Sequence, residues 1–217
     1  YRLEANDLDN DSTLRYFFDS EASEARNENG VIIKQSEYDY MQAFDLNAND
    51  GLIRVVKILD RERIESIKIG VIVEDIAAIS GKQTATAFLN VIILDENDNN
   101  PKFEKPFYRR AIMENSQIGT NILNVIATDA DKNKSVTYEL DGPEEILNFL
   151  HLDAVSGEIL VQEKIDHEVF EWLNFTVRAR DSGFPQRSSL ADVHVQILDE
   201  NDNQPYFITE FQNLSIY

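Results

Sequence analysis

Two stretches of the sequence concentrate oxygen-bearing side chains directly before a proline. LDENDNNPKF runs from Leu94 to Phe103, and LDENDNQPYF runs from Leu198 to Phe207, 104 positions further along. One such cluster is ordinary loop composition, because Asp and Asn before a proline favour turns. Its repetition predicts a structural unit of about 100 residues that occurs twice.

Further carboxylates recur at matched places in the two copies. An i, i+2 pair in extended chain directs both side chains to one side, as two ligands of one ion require. Calcium fits such a set, since it takes six to eight hard oxygen donors and needs neither His nor Cys. The matched residues are Asp7 and Asp9 with Asp129 and Asp131, Asp60 and Glu62 with Asp166 and Glu168, and Asp75 with Asp181.

An EF-hand loop is the first alternative, because DLDND and DADKN both begin as that loop does. It needs glycine at its sixth position and glutamate at its twelfth. Counting from Asp129, those positions hold Lys134 and Leu140; counting from Asp7, they hold Ser12 and Phe18. The sequence therefore excludes an EF-hand and predicts that ligands come together from several loops.

Composition limits the classes of partner. The 40 acidic and 20 basic residues leave a formal charge of −20, which would repel nucleic acid and anionic membrane surfaces. A hydrophobic content of 42% and an aromatic content of 10% are typical of folded domains. Because the chain has no cysteine, disulfides and thiolate metal sites are excluded. We also find no targeting segment and no apolar run long enough to cross a membrane.

The apolar pattern predicts strands throughout. Leu89, Val91 and Ile93 alternate before the first acidic loop, and Val193, Val195 and Ile197 alternate before the second. FDLNANDGLIRV and LHLDAVSGEILV each predict a hairpin with its turn at Gly51 or Gly157. Short strands with frequent turns indicate a two-sheet sandwich in each copy. The first copy is longer, and we place its extra length at Ser20–Glu37 as a polar surface insertion.

The combination of DxD, DRE, a lone Asp after RAR, MEN and DENDNxPxF resembles the extracellular repeats of the cadherin superfamily. The resemblance covers nearly the whole chain and implies tandem seven-stranded Greek-key sandwiches with up to three calcium ions at each junction. It divides the chain into repeats at 1–99 and 100–203 and the start of a third at 204–217. The first repeat would lack its first strand, because the sequence begins within the second.

The resemblance also implies a ligand set for each junction. Glu96, Asn99 and Asn133 would act through backbone carbonyls, and Asp98 and Asp131 would bridge neighbouring ions. The inner junction would use Asp60, Glu62, Asp95, Glu96, Asn97, Asp98, Asn99, Asp129, Asp131, Asn133 and Asp181. Half-sites with a preceding repeat would use Asp7, Asp9 and Asp75, and half-sites with a following repeat would use Glu114, Asp166, Glu168, Asp199, Glu200, Asn201, Asp202 and Asn203.

The function that the resemblance implies is calcium-dependent adhesion at the cell surface. The segment would be an internal rod of a longer, membrane-anchored chain that binds other cadherin ectodomains, homophilically or heterophilically. A non-adhesive spacer or ligand-binding segment of a receptor is the alternative. Enzyme activity is not expected: DSG at Asp181 resembles an aspartic protease loop, but it occurs once and no nucleophile and base converge. Trp172 is expected to be a partly buried sandwich residue, and sequons at Asn10, Asn133, Asn174 and Asn213 favour export.

Overall fold

The computed structural model describes residues 1–9, 12–78, 81 and 83–207, and these form two compact units. The first unit is Tyr1–Glu96 and the second begins at Asn97. The sequons at Asn10 and Asn213, and residues 208–217 of the expected third repeat, fall at least partly outside the described residues. The regular elements of both units are almost all strands, which confirms the all-β sandwich fold.

Among its described residues, the first unit contains six strands and one 3-10 turn, Tyr40–Ala43. Its main sheet has the order β2-β1-β5-β6, with antiparallel neighbours, and β3 pairs with β4 as the predicted hairpin. The strands are β1 (Leu14–Arg26), β2 (Ile32–Ile33), β3 (Phe44–Leu46), β4 (Ile53–Val55), β5 (Ser66–Asp75) and β6 (Gln83–Ile92).

The second unit has a four-stranded sheet β11-β14-β15-β8 facing a three-stranded sheet β12-β13-β9, with a short β10-β7 pair beside them. One helical turn, α1 (Glu144–Leu147), follows β11. The strands are β7 (Lys102–Phe103), β8 (Phe107–Met113), β9 (Asn121–Asn124), β10 (Ala127–Thr128), β11 (Val136–Asp141), β12 (Leu150–Leu152), β13 (Glu158–Val161), β14 (Trp172–Asp181) and β15 (Ser188–Leu198).

The same hydrogen bonds recur at matched places in the two units. Tyr16 N–H donates to Ala48 O at 2.9 Å, and Tyr138 N–H donates to Ala154 O at 2.9 Å. The sequence offset is 122 positions at the tyrosine and 106 at the alanine, so the first unit has 16 extra residues between the two. The sequence repeat is therefore a structural repeat with one interruption.

The predicted surface insertion is wrong in part, because some of its residues are core. Strand β1 continues through Arg26, with an irregularity in its pairing to β5 between Asp19 and Glu24. Ala25 is fully buried and Ser23 is nearly so. Ser23 and Ala25 point to the core at the two-residue spacing of a strand, although the SEASEA sequence itself repeats every three residues, and Glu24–Arg26 extend the pairing of β1 with β5.

Burial differs between the matched last strands. Val193, Val195 and Ile197 of β15 are buried in the second core, whereas Leu89 and Val91 of β6 are only half-buried. In the second unit, β8 pairs with β15 in parallel over seven residue pairs and adds Tyr108 and Ile112 to the core. Within the described part of the first unit, no strand pairs with that edge of β6, so its side chains remain more exposed.

The hairpin glycines adopt backbone conformations that would be strained for any other residue. Gly157 has φ +74°, and a Cβ there would overlap Val125 O, whose residue donates its N–H to Gly157 O at 2.9 Å. Gly51 repeats this arrangement in the first unit with φ +68° and Leu3 as the neighbour. Gly119 also has a positive φ, +85°, but has open space around its Cβ direction.

Gly157→Ala should therefore destabilise the second unit more than its matched control, Gly119→Ala. The positive φ costs about 1–2 kcal/mol at either position, and the overlap raises the total at Gly157 to about 2–5 kcal/mol. Urea unfolding followed by the fluorescence of Trp172 measures both variants. Equal losses of unfolding free energy in the two variants would contradict the packing explanation.

Candidate metal centre

Three buried carboxylates meet at one end of the second unit. Asp129 and Asp131 follow β10, and Asp181 ends β14; their exposed fractions are 6%, 1% and 2%. Each offers a carboxylate oxygen, and these atoms all lie within 4.8 Å of one another. Like charges this close and this buried are costly without a compensating cation, so the arrangement suits an ion.

Local hydrogen bonds fix these carboxylates. Asp129 Oδ1 accepts the N–H of Asp131 at 2.9 Å, which holds the DxD turn, and Asp181 Oδ1 accepts the N–H of Arg187 at 2.9 Å. Because the backbone supplies these donors, the carboxylates are oriented by the fold itself. The structure thus brings the DxD pair and the lone Asp together, and their use as metal ligands stays a prediction.

The asparagines of the acidic stretch lie against the same carboxylates. Asn97 Nδ2 donates to Asp181 Oδ2 at 2.9 Å, and Asn99 Nδ2 donates to Asp131 Oδ1 at 2.7 Å. Arg187 Nε donates to Asn97 O at 2.7 Å and so anchors the stretch. Sequence reasoning missed Arg187, because it lies 90 positions from Asn97 and in no acidic motif.

Two other predicted residues of this end are more peripheral. Asp98 Oδ1 accepts the Nδ2 of Asn99 at 2.8 Å, and Asn133 Oδ1 accepts the N–H of Ser135 at 3.3 Å. Both side chains are exposed.

A second carboxylate group lies at the other end of the second unit. Glu114, Glu168 and Asp199 offer oxygens within 4.8 Å of one another, and Glu114 is only 2% exposed. Glu114 Oε2 accepts the N–H of His167 at 2.7 Å, and Oε1 accepts the N–H of Glu200 at 2.6 Å. These two backbone donors hold the pKa of Glu114 below its usual range.

The neighbouring acidic residues are joined to this group. Asp166 Oδ1 accepts the N–H of Glu168 at 2.9 Å. A backbone hydrogen bond lowers the pKa of Glu168, but the side-chain hydrogen bond with Asp166, burial, and the charges of Glu114 and Asp166 raise it by more. The surroundings of Glu168 therefore oppose its ionisation, in contrast to those of Glu114.

The final acidic loop is held to the same end by amides. Asn203 Nδ2 donates to Glu168 Oε1 at 2.7 Å, and Asn115 Nδ2 donates to Asp202 Oδ2 at 2.7 Å. Asn115 has φ +57°. The sequence pattern identified Glu114 of the MEN motif but not Asn115. The position of Asn115 next to Glu114 in that motif is the signal that could have identified it. Asn201 belongs to the same loop and is exposed.

An arginine binds the carboxylates of the first unit. Arg61 Nε lies 2.6 Å from Asp95 Oδ1, and its Nη2 lies 2.8 Å from Glu62 Oε1. Glu28 Oε2 is 3.8 Å from Nη1, and the Arg61 side chain is almost completely buried. Sequence reasoning treated Arg61 only as part of DRE, because its contact with Asp95 depends on the fold.

The remaining predicted residues of the first unit are arranged as turns. Asp60 Oδ1 accepts the N–H of Arg63 at 3.2 Å, and Asp7 Oδ1 accepts the N–H of Asp9 at 2.9 Å. Asp75 is buried and accepts the N–H of Thr13 at 2.8 Å. Among residues 1–9, 12–78, 81 and 83–96, these acids do not form a three-carboxylate group as tight as those of the second unit. Glu96 is exposed at the end of this unit.

Comparison with known proteins places this geometry in a family. The model of the family "Cadherin domain" matches residues 108–198. The crystal structure of human CDH23 EC21-23 superposes with a TM-score of 0.79 and 32% identity, covering 95% of this chain and 70% of that chain. The chain belongs to the cadherin superfamily.

Other cadherins are similar over much of this chain. Caenorhabditis elegans Cadherin-4 is 33% identical over 172 residues, which is 79% of this chain and 4% of that protein. Human Protocadherin-1 is 40% identical over 150 residues, which is 68% of this chain and 14% of that protein. The chain therefore spans a small part of the length of these curated relatives.

Cell adhesion, calcium binding and repetition are general properties of cadherins. Cadherin adhesion domains are not enzymes. Among the described residues, no helix is long and apolar enough to span a membrane.

The stability of this cadherin segment in chelator should depend on Glu114 in a pH-dependent way. The folded pKa of Glu114 is lowered, so its ionised form contributes stability above the unfolded pKa of about 4.3, and that contribution is lost as the pH falls through the folded pKa. Glu114→Gln should therefore differ most from the wild type near neutral pH, and the difference should shrink towards acid pH. Urea unfolding across this range measures it.

The control for this comparison is Glu145→Gln, which alters an exposed glutamate of α1. Its unfolding free energy should follow that of the wild type at every pH. If the deficit of Glu114→Gln were constant with pH, the lowered pKa would not be its cause.

Proposed function

We propose that this chain is an extracellular segment of a calcium-dependent adhesion protein, and that calcium stiffens the connection between its repeats. The observation that carries the proposal is the group of buried carboxylates Asp129, Asp131 and Asp181. Its donors are all oxygens, which fit calcium and do not favour zinc or copper. Bound calcium would supply the positive charge that this group needs.

The proposed inner junction uses the acidic stretch as its connection. Asp95 and Glu96 end the first unit, and Asn97, Asp98 and Asn99 begin the second, so one short run of sequence contributes to both. With Asp60, Glu62 and the DxD group, these residues would hold up to three calcium ions. Cations would remove the repulsion among the carboxylates and restrict the connection.

The outer ligands would serve junctions with further repeats. We propose repeats at 1–99 and 100–203, with 204–217 opening another. Glu114, Glu168 and Asp199 would provide half of a following site, and Asp7, Asp9 and Asp75 half of a preceding one. The mutual repulsion in the group around Glu114 supports the first of these half-sites.

Addition of calcium should raise the melting temperature of the 217-residue chain above its value in chelator. At a calcium concentration of about 100 times Kd, linkage gives about 2.7 kcal/mol, which is a shift on the order of 10 °C for a domain of this size. Asp131→Asn should lose most of the shift, because it removes the charge from the most buried carboxylate of the group. Calorimetry with calcium or with chelator measures both proteins.

The matched control is Asp141→Asn, since Asp141 is an exposed carboxylate that pairs with Arg178 at 2.7 Å on the sheet surface. This variant should keep the full calcium shift. A wild-type melting temperature that is the same in calcium and in chelator would overturn the proposed calcium site.

Adhesion by the complete ectodomain should require calcium. Beads coated with it are expected to aggregate in calcium and to disperse in chelator, with Asp131→Asn reducing aggregation. Beads that remain dispersed, together with a calcium-dependent melting temperature, would favour a non-adhesive spacer or ligand-binding segment. Mixing beads that carry different ectodomains separates homophilic from heterophilic partners.

A further inference from the structure

One of the sequons lies on the outer surface of the second unit. Asn174-Phe175-Thr176 is part of β14, whose residues alternate between the core and the surface. Phe175 is buried in the core, whereas Asn174 is exposed. The acceptor amide is therefore on the accessible face, and the residue between it and Thr176 anchors the strand.

Of the two strands that flank β14, only β15 pairs with Asn174. Strand β11 ends at Asp141, which pairs with Thr176, so Asn174 lies beyond the last paired residue of β11. On the other side, Asn174 pairs with His194 of β15, and His194 Nδ1 lies 2.6 Å from Asn174 Oδ1. With Nδ1 as the donor, this hydrogen bond holds the amide by its oxygen and leaves Nδ2 for substitution.

An aromatic surface lies next to this amide. Trp172 is two residues before Asn174 on the same face of β14, and it is half-buried. The guanidinium of Arg109 lies 5.0 Å from the centre of the Trp172 ring. Because Arg109 lies over this ring, a sugar attached at Asn174 would pack against the part of the half-buried ring that Arg109 does not cover, and Arg109 would donate hydrogen bonds to its hydroxyls.

The sequon at Asn133 has different surroundings. Asn133 follows the buried carboxylates Asp129 and Asp131 in the acidic loop, and its Oδ1 accepts the N–H of Ser135. A bulky substituent there would lie in the loop that we assign to calcium. The outer face of β14 has no such competing assignment.

We propose that Asn174 carries an N-linked oligosaccharide whose first sugar packs beside Trp172. The donor is a lipid-linked oligosaccharide diphosphate, as used in the secretory pathway. Asn174 Nδ2 forms a bond to C1 of the first sugar, the bond from C1 to the diphosphate oxygen breaks, the lipid diphosphate leaves, and the amide loses one proton to a base of the transferase. The proposal rests on the extracellular location proposed above.

Site mapping of the chain secreted from animal cells tests the modification. Enzymatic release of glycans in heavy-oxygen water should convert Asn174 to a labelled aspartate in most molecules. Thr176→Ala should abolish that labelling, whereas Thr137→Ala, which alters an exposed threonine of the neighbouring strand β11, should leave it unchanged. Recovery of unmodified Asn174 from the wild-type chain would overturn the proposal, and it needs no variant to fold.

Tryptophan fluorescence tests the packing, because Trp172 is the single tryptophan of the chain. Trimming the glycan to its first sugar should leave the emission unchanged, and Asn174→Gln, which cannot carry the sugar, should shift it. If the emission of Asn174→Gln matches that of the trimmed protein, the sugar does not pack on Trp172. Calcium-dependent melting is measured independently, so failure of either glycan test is distinguishable from failure of the calcium proposal.

Discussion

The repulsion among carboxylates at the ends of each unit is the constraint on which this structure depends. A sandwich brings strand ends together, and this sequence places acidic residues at those ends, as at Asp181, the last residue of β14, and Asp199, which follows β15. Backbone N–H groups and asparagine amides already orient many of these oxygens. Folding therefore already restricts the conformations of these ligands. A cation that binds there loses less free energy to ordering them, because the donors are largely preorganised.

The ends of the two units manage this repulsion differently. Around Glu114, two backbone N–H groups stabilise the negative charge of its carboxylate, whereas neighbouring carboxylates repel one another. At Asp95 and Glu62, a buried guanidinium supplies the positive charge from within the protein. The residue matched to Arg61 is His167, which contributes a backbone N–H and a contact between its Nδ1 and Ile197 O at 2.9 Å. One motif position therefore has two physical roles.

Much of the fold could be predicted because the sequence repeats. The acidic pairs, the hairpin glycines and the alternating apolar residues recur, and each repeat of a local pattern gives the same local structure. The prediction was less accurate where burial depends on a distant partner: Leu89 and Val193 have the same pattern, yet only Val193 is covered by β8. Arg187 and Asn115 were missed because their contacts join residues far apart in sequence. Ser23 and Ala25 were assigned to a surface insertion because a strand that is rich in Glu and Ser has the composition of a polar loop.

The parallel pairing of β8 with β15 also determines how the second unit responds to tension. Within this unit the chain passes through the short strand β7 before it enters β8, and β15 is its last strand, so a pull on the two ends of the unit draws β8 and β15 along each other. Seven residue pairs are then loaded together in shear instead of being opened one after another. For a domain in a chain that transmits force, this geometry makes the pair of β8 and β15 a mechanical clamp.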